Sequence, residues 1–102
     1  MDDETLSLCK EVYKATFWEM SEWEFGGVPL YTSDYLLGKL KEYFTYENEI
    51  DFGVYYLREI NEWEALVQDK GASTADTPLK ALLKLTLALH EAGELERSGE
   101  NE

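Results

Sequence analysis

The stretch TPLKALLKLTLALHEA, residues 77–92, decides the fold. Its leucines and alanines predict a helix that is apolar around most of its circumference, which is typical of a buried element and not of a surface helix. Asp76 or Thr77 is expected to cap its start, Pro78 suits its first turn, and Gly93 is expected to end it. We therefore expect this helix to cover a sheet. Its polar residues form a thin strip: Lys80, Lys84 and Glu91.

Two segments upstream, residues 50–60 and 63–69, alternate between apolar and polar side chains and are rich in aromatic and β-branched residues. This period of two predicts two strands, and the short connection between them predicts an antiparallel hairpin. The small polar residues 70–76 are expected to form a loop. Both faces of the predicted sheet carry apolar residues, so we expect helices on both faces, or a partner chain on one of them.

Two helices are expected before the hairpin. Residues 3–20 carry one apolar stripe, and a second helix is expected to start at Thr32 or Ser33 and to end by residues 46–49. The glycines and proline of residues 21–32 predict a loop between the helices. We expect the aromatic residues of this loop to pack it against the rest of the domain. The stripe of the first helix consists of Leu6, Cys9, Tyr13, Phe17 and Met20, and Leu8, Val12 and Ala15 widen it.

The element order therefore predicts an α+β fold: helix–loop–helix, an antiparallel β-hairpin and a C-terminal apolar helix, packed as an α-β-α layered sandwich. With 102 residues, the chain has the length of one domain. We assign residues 1–93 to that domain and residues 94–102, which lack any period, to a disordered acidic tail.

Composition excludes several classes of function. Nine basic residues against 22 acidic residues give a net charge of −13, which argues against direct binding of nucleic acid or of an anionic membrane. One cysteine and one histidine exclude a disulfide framework and a Cys/His zinc site within one chain. The acidic N-terminus lacks the features of a signal peptide, and no apolar run is long enough to span a membrane. We expect a cytoplasmic protein with no cofactor.

No catalytic motif is present. Cys9 falls on the apolar stripe of the first helix and is expected to be a buried hydrophobic residue. His90 falls near the end of the last helix, and a Cys9–His90 dyad has no supporting motif. The alternating carboxylates around residues 47–51 lack the spacing of an EF-hand, so we expect solvated surface there and no metal site. The chain is therefore not expected to be an enzyme.

Three stretches resemble the small "ABA sandwich" domains encoded by phages and prophages: PLYTSD at residues 29–34, the hairpin with WEA at residues 63–65, and ADTPLKALL at residues 75–83. The resemblance implies an α-β-α layered fold and an origin in a mobile genetic element. It implies no established activity and no catalytic residue.

The acidic residues point to a protein partner with a basic surface, because aromatic residues among carboxylates suit such surfaces, whereas nucleic-acid readers combine aromatic residues with Lys and Arg. We expect Trp18, Trp23, Tyr31, Tyr46 and Tyr55 to be the most exposed aromatic residues. The candidate partner-binding residues are Trp18, Trp23 and seven carboxylates: Glu42, Glu47, Glu49, Asp51, Glu59, Glu62 and Glu64.

The leading hypothesis is a non-enzymatic, acidic protein-binding module. Its concrete form is an anti-CRISPR-like inhibitor that mimics DNA and occupies a host nucleic-acid-binding protein. The alternative is a structural or assembly protein that associates with itself through the sheet, for instance as a homodimer.

Overall fold

A computed structural model of the chain describes residues 3–18, 23–24, 28–44, 52–68 and 70–95. Within these ranges, the chain forms three helices, a three-stranded antiparallel sheet and a short two-stranded ladder, which confirms the α+β class. The elements are α1 (Asp3–Thr16), β1 (Trp23–Glu24), β2 (Val28–Pro29), α2 (Ser33–Phe44), β3 (Phe52–Leu57), β4 (Glu62–Val67), β5 (Gly71–Ala75) and α3 (Pro78–Glu91).

Helix α3 is the centre of the molecule. It contacts all three strands of the sheet, and α1 and α2 also pack against it, so the sheet and the helices form an α+β layered arrangement. The predicted helix ends are confirmed. Thr77 caps α3, because its Oγ1 accepts a hydrogen bond from the Lys80 amide at 3.1 Å. Gly93 follows the helix with φ of 81°, and the Glu94 amide returns to the Leu89 carbonyl at 2.9 Å.

The sheet has the order β3-β4-β5. The prediction of a loop at residues 70–76 is wrong, because residues 71–75 form the third strand of this sheet. Three of the five residues of β5, Gly71, Ala72 and Ala75, have low intrinsic strand propensity, so tertiary packing decides its conformation. A side chain at Gly71 would place its Cβ only 3.4 Å from Leu89 and 3.7 Å from Leu85. The small residues of β5 therefore allow α3 to approach the sheet closely.

One face of the sheet forms the core with α3. Because side chains alternate along a strand, this face carries Ala65 and Val67 of β4 and Ala75 of β5, and all three are buried. On α3, four leucines are buried, and two of them, Leu85 and Leu89, lie beside Gly71 of β5. The other two are Leu82 and Leu83.

Helix α1 is shorter than the predicted residues 3–20, because it ends at Thr16. The Thr16 hydroxyl donates to the Val12 carbonyl at 2.8 Å and accepts from the Trp18 amide at 3.2 Å. Phe17, which lies between Thr16 and Trp18 in the sequence, has a left-handed backbone with φ of 57° and turns the chain out of the helix. The predicted apolar stripe is confirmed at Cys9 and Val12, which are buried, but Thr5 and Thr16 complete the buried line of α1. Met20 lies outside the described residues.

The sequence pattern places Lys80 on the polar strip of α3, but the residue is buried. Helix α1 packs on α3 and brings Glu4 Oε1 to 3.0 Å from Lys80 Nζ, while Asp76 Oδ1 lies 3.1 Å away on the other side. Two carboxylates thus compensate the buried charge.

The fold continues beyond the predicted boundary at residue 93. Leu95 is buried in the core cluster, and Glu94 Oε1 lies 3.2 Å from Lys70 Nζ. These two residues therefore belong to the domain and not to a tail. Residues 96–102 lie outside the described residues.

Candidate protein-binding hairpin tip

The β3–β4 hairpin ends in a well-defined tip, which we define as residues 55–64. The Asn61 amide donates to the Leu57 carbonyl at 2.8 Å and closes the turn. Asn61 has a left-handed backbone with φ of 60°, a conformation that asparagine tolerates better than most residues. The Tyr56 hydroxyl donates to Asn61 Oδ1, so a side chain of β3 braces the turn.

Exposed apolar side chains are concentrated on this tip. Among the residues whose side chains the structure describes, the exposed large hydrophobic ones are Phe17 and three residues of the tip, Tyr55 (48% exposed), Tyr56 (45%) and Ile60 (55%). Tyr55 and Tyr56 are adjacent in β3, so they lie on opposite faces of the sheet. The Tyr56 ring stacks at a tilt on Trp63, with 5.1 Å between the centroids.

Tyr55 belongs to the open face of the sheet, the face opposite to α3. Within that face, Tyr55 lies directly across from Glu64, and Thr74 continues the row on β5. Leu57 pairs with Glu62 in the next row toward the turn. No residue of the open face that the structure describes is buried. The face therefore combines apolar side chains with carboxylates and lacks a covering layer among the described elements.

The tip also contains three of the seven carboxylates of the predicted acidic surface. Glu59, Glu62 and Glu64 all fall within residues 55–64, where Arg58 is the single basic residue of the sequence. Glu42 is exposed on α2, with Oε1 3.8 Å from Lys39 Nζ. The remaining predicted acidic residues lie outside the described residues: Glu47, Glu49 and Asp51.

The prediction that Trp18 is exposed, on which its proposed role in partner binding rests, is wrong, because Trp18 is 3% exposed and belongs to the core. The left-handed turn at Phe17 directs the chain back under α2, where Lys39 Nζ lies 5.8 Å from the centre of the Trp18 ring. The prediction that Tyr31 is exposed is also wrong, because Tyr31 is fully buried and its hydroxyl donates to the Trp18 carbonyl at 2.5 Å. A partner has no access to either ring in this fold.

The other predicted aromatic contacts have different outcomes. Tyr55 is exposed as predicted. The structure describes the backbone of Trp23, which pairs with Pro29 in the short ladder, but not its side chain. Tyr46 lies outside the described residues.

Sequence reasoning misses Tyr56 and Ile60 as candidate contact residues. The alternation of β3 places Tyr56 on the core face, which is correct, but this residue lies next to the turn and remains exposed. Ile60 falls in a short connection that the pattern treats only as a turn. A large aliphatic residue in a hairpin turn that is otherwise polar is the signal that identifies it.

The Cys9 thiol is buried, and burial raises its pKa. A protonated thiol is a poor nucleophile, and His90 is exposed on the last turn of α3. Within the described ranges, no group of three or more His, Cys, Asp or Glu side chains could hold a metal ion. The helices in those ranges are too short or too polar to cross a bilayer.

No protein-family model, no curated protein and no solved structure matches this chain.

Proposed function

We propose that this chain is a non-enzymatic protein-binding module whose hairpin tip enters a basic cleft on another protein. One observation carries the proposal: of the four exposed large hydrophobic residues found among the described side chains, three lie within residues 55–64, together with three carboxylates. Exposed apolar groups of this kind mark interaction surfaces when they are clustered, whereas isolated ones do not.

The arrangement of the two tyrosines favours a cleft over a flat surface. Tyr55 and Tyr56 lie on opposite faces of the hairpin, so a flat partner would contact one ring and leave the other in water. A cleft that encloses the hairpin tip would contact both tyrosine rings. The hydrogen bond from Tyr56 to Asn61 braces the turn before binding, which reduces the conformational entropy that is lost on association.

Charge supports a basic partner. Glu59, Glu62 and Glu64 would attract a basic cleft at long range and raise the association rate, and the tyrosines would supply short-range contacts. Clefts that bind nucleic acid are basic and present stacking surfaces for bases. We therefore propose that the partner is a nucleic-acid-binding protein of a bacterial host and that this chain inhibits it as a DNA mimic in the cytoplasm. The proposed mobile-element origin rests on the sequence resemblance.

The test is capture of a partner from a bacterial lysate by paired variants. The tip variant carries Glu62→Lys and Glu64→Lys. The matched control carries Glu11→Lys and Glu91→Lys, two exposed positions on helices α1 and α3, and changes the net charge by the same amount. The wild type and the control should retain the same partner, salt should release it, and the tip variant should lose it. Equal retention by both variants, or no retention by the wild type, would contradict the proposal.

The inhibitor role needs a separate measurement on the captured protein. A fluorescent single-stranded oligonucleotide bound to that protein should be displaced by the wild type and by the matched control, but not by the tip variant. A partner that binds the chain and its oligonucleotide at the same time would support a binding module and rule out DNA mimicry.

Self-association through the sheet is disfavoured by the same geometry. Among its described residues, the open face carries Glu62 and Glu64 and no Lys or Arg, so a second copy stacked on it would bury carboxylates without a basic residue of that face to pair with them. Like charges in an interface oppose its formation.

A further inference from the structure

Strand β3 has one unpaired edge among the strands that the structure describes. The order of the sheet is β3-β4-β5, so β3 pairs with a described strand on one side only. Its residues follow β4 in an unbroken register from Phe52 to Leu57. The strand contains no proline and no charged residue, two features with which natural edge strands block further pairing. The backbone groups along its outer edge are therefore regularly spaced, as the addition of another strand requires.

The Tyr55 side chain lies along this edge strand. A Cβ built at Gly53 would lie 3.2 Å from the Tyr55 hydroxyl oxygen and 3.4 Å from the ring carbon that carries it, so the ring extends back over the glycine. Glycine weakens the interior of a strand, and at this position it leaves the space that the ring occupies. The half-exposed ring thus forms a surface on β3 itself, beside which the side chains of an added strand would lie.

The open face specifies which side chains suit an added strand. Three rows cross this face from β3 to β4: Leu57 to Glu62, Tyr55 to Glu64, and Gly53 to Leu66. Neighbouring strands lie about 4.8 Å apart, so the backbone of Glu64 is about 10 Å from a strand that is added beside Tyr55. A lysine or arginine of that strand can extend across the tyrosine ring and bring its charged end to the carboxylate.

We propose that an extended segment of the partner pairs with the outer edge of β3, with basic residues beside Leu57 and Tyr55 and an apolar residue beside Gly53. This inference rests on the proposed function, because it specifies which element of the basic partner meets the hairpin. Alternate residues of a strand face the same side, so the segment in the antiparallel direction reads basic–x–basic–x–apolar. The intervening residues lie beside Tyr56 and Val54 on the other face and are apolar.

Charge favours a partner over a second copy of the chain at this edge. The strands that the structure describes contain no Lys or Arg, so none of them, offered by another copy, supplies the basic residues. The outer edge of β5 suits the segment less well. Its residues are small, and it offers no aromatic ring against which a basic side chain can pack.

The experiment compares two synthetic peptides with blocked ends. The strand peptide contains Lys-Val-Lys-Val-Leu, and the control peptide has the same side chains and charge but carries N-methyl groups on all of these residues, which removes every backbone donor. The strand peptide should bind at least about tenfold more tightly, because main-chain hydrogen bonds add to the attraction between charges. It should also slow hydrogen exchange at alternate amides of residues 52–57 and leave residues 71–75 unchanged.

Variants in the Tyr55 row test the position of the added strand. Tyr55→Ala should weaken binding of the strand peptide at least about fivefold, because the basic side chain loses the ring against which it packs. Thr74→Ala, on β5 in the same row, is the matched control and should not change binding. Gly53→Ala should weaken binding by displacing the ring, while the melting temperature stays equal or rises, because alanine suits a strand better than glycine.

Four results would overturn the proposal: equal binding of the two peptides, binding of neither, protection of residues 71–75 instead of residues 52–57, or binding that survives Tyr55→Ala. Protection of residues 52–57 that rises with protein concentration without peptide would assign this edge to a second copy and would also overturn it. Failure of the proposed function is a different result, namely equal capture of the lysate partner by the tip variant and its matched control.

Discussion

Tyr55 on β3 lies directly across the ladder from Glu64 on β4, on the face of the sheet that is opposite to α3. The pair places an exposed aromatic ring next to a carboxylate. The ring can pack against the stem of a partner's Lys or Arg side chain, while the carboxylate approaches its charged end. One pair of neighbouring residues thus combines the short-range and the long-range attraction that the proposed function requires.

Truncating a side chain should destabilise the fold more where α3 packs on the sheet than on the open face. Leu85→Ala removes a buried side chain of α3 that lies over β5, and we expect a loss of about 2–5 kcal/mol in the free energy of unfolding. Tyr55→Ala, on the open face, should cost less than about 1 kcal/mol. Denaturant unfolding of both variants measures the difference. Similar losses would show that the open face is covered in the folded protein.

Two glycines should respond to alanine with opposite signs. Gly93 has φ of 81° and Gly38 lies within α2, and an added Cβ meets no atom within 4 Å at either position. Backbone conformation alone therefore decides the outcome. Gly93→Ala should lower the free energy of unfolding by about 1–2 kcal/mol, and Gly38→Ala should raise it by about 0.5–1 kcal/mol. Urea titration of each variant is the measurement, and a loss at both positions would contradict this explanation.

Replacing the buried Lys80 should lower the free energy of unfolding less than replacing the two carboxylates that pair with it. Lys80→Met keeps the length of the side chain and releases Glu4 and Asp76, which are both exposed, to water, so it should cost less than about 1.5 kcal/mol. Glu4→Gln combined with Asp76→Asn removes these two carboxylates from beside a buried charge and should cost about 1–3 kcal/mol. Denaturant unfolding ranks the variants. The reverse order would show that Lys80 reaches water in the folded state.

The sequence predicts the helices better than it predicts the full sheet. Thr77 and Gly93 mark the ends of α3 through local hydrogen bonds, and such signals can be read directly from neighbouring residues. Strand β5 has no comparable local signal, because Gly71 is in a strand only through its contact with α3 and β4. Long-range packing of this kind has no signature in a short window of sequence.

The candidate site can be predicted only in part for the same reason. Glu62 and Glu64 follow from the alternation of β4, which places them on one face. The burial of Trp18 cannot be predicted from the sequence, because it depends on the left-handed turn at Phe17. A phenylalanine gives no indication of such a turn. An exposed phenylalanine beside a buried threonine reverses the usual rule for burial.

High pH should destabilise the fold through two buried groups. Burial raises the pKa of the Cys9 thiol and of the Tyr31 hydroxyl above their values in the unfolded chain, about 8.5 and about 10. Because the unfolded state then loses protons first, the stability that these groups contribute is fully present below about pH 8.5 and is lost as the pH rises.

The measurement is the free energy of unfolding between about pH 7 and pH 11. Cys9→Ala should remove the part of the decrease that begins near pH 8.5, and Tyr31→Phe should remove the part that begins near pH 10. Curves for both variants that run parallel to the wild-type curve would show that neither group causes the alkaline loss.

The most direct test of the central claim is the association rate constant between the captured partner and the two matched double variants, measured across a range of salt concentrations. The tip variant, Glu62→Lys with Glu64→Lys, should associate at least about tenfold more slowly than the control, Glu11→Lys with Glu91→Lys, at low salt, and the difference should shrink as salt is added. Both variants should melt like the wild type. Equal association rates for the two variants at every salt concentration would show that the hairpin tip does not meet the partner.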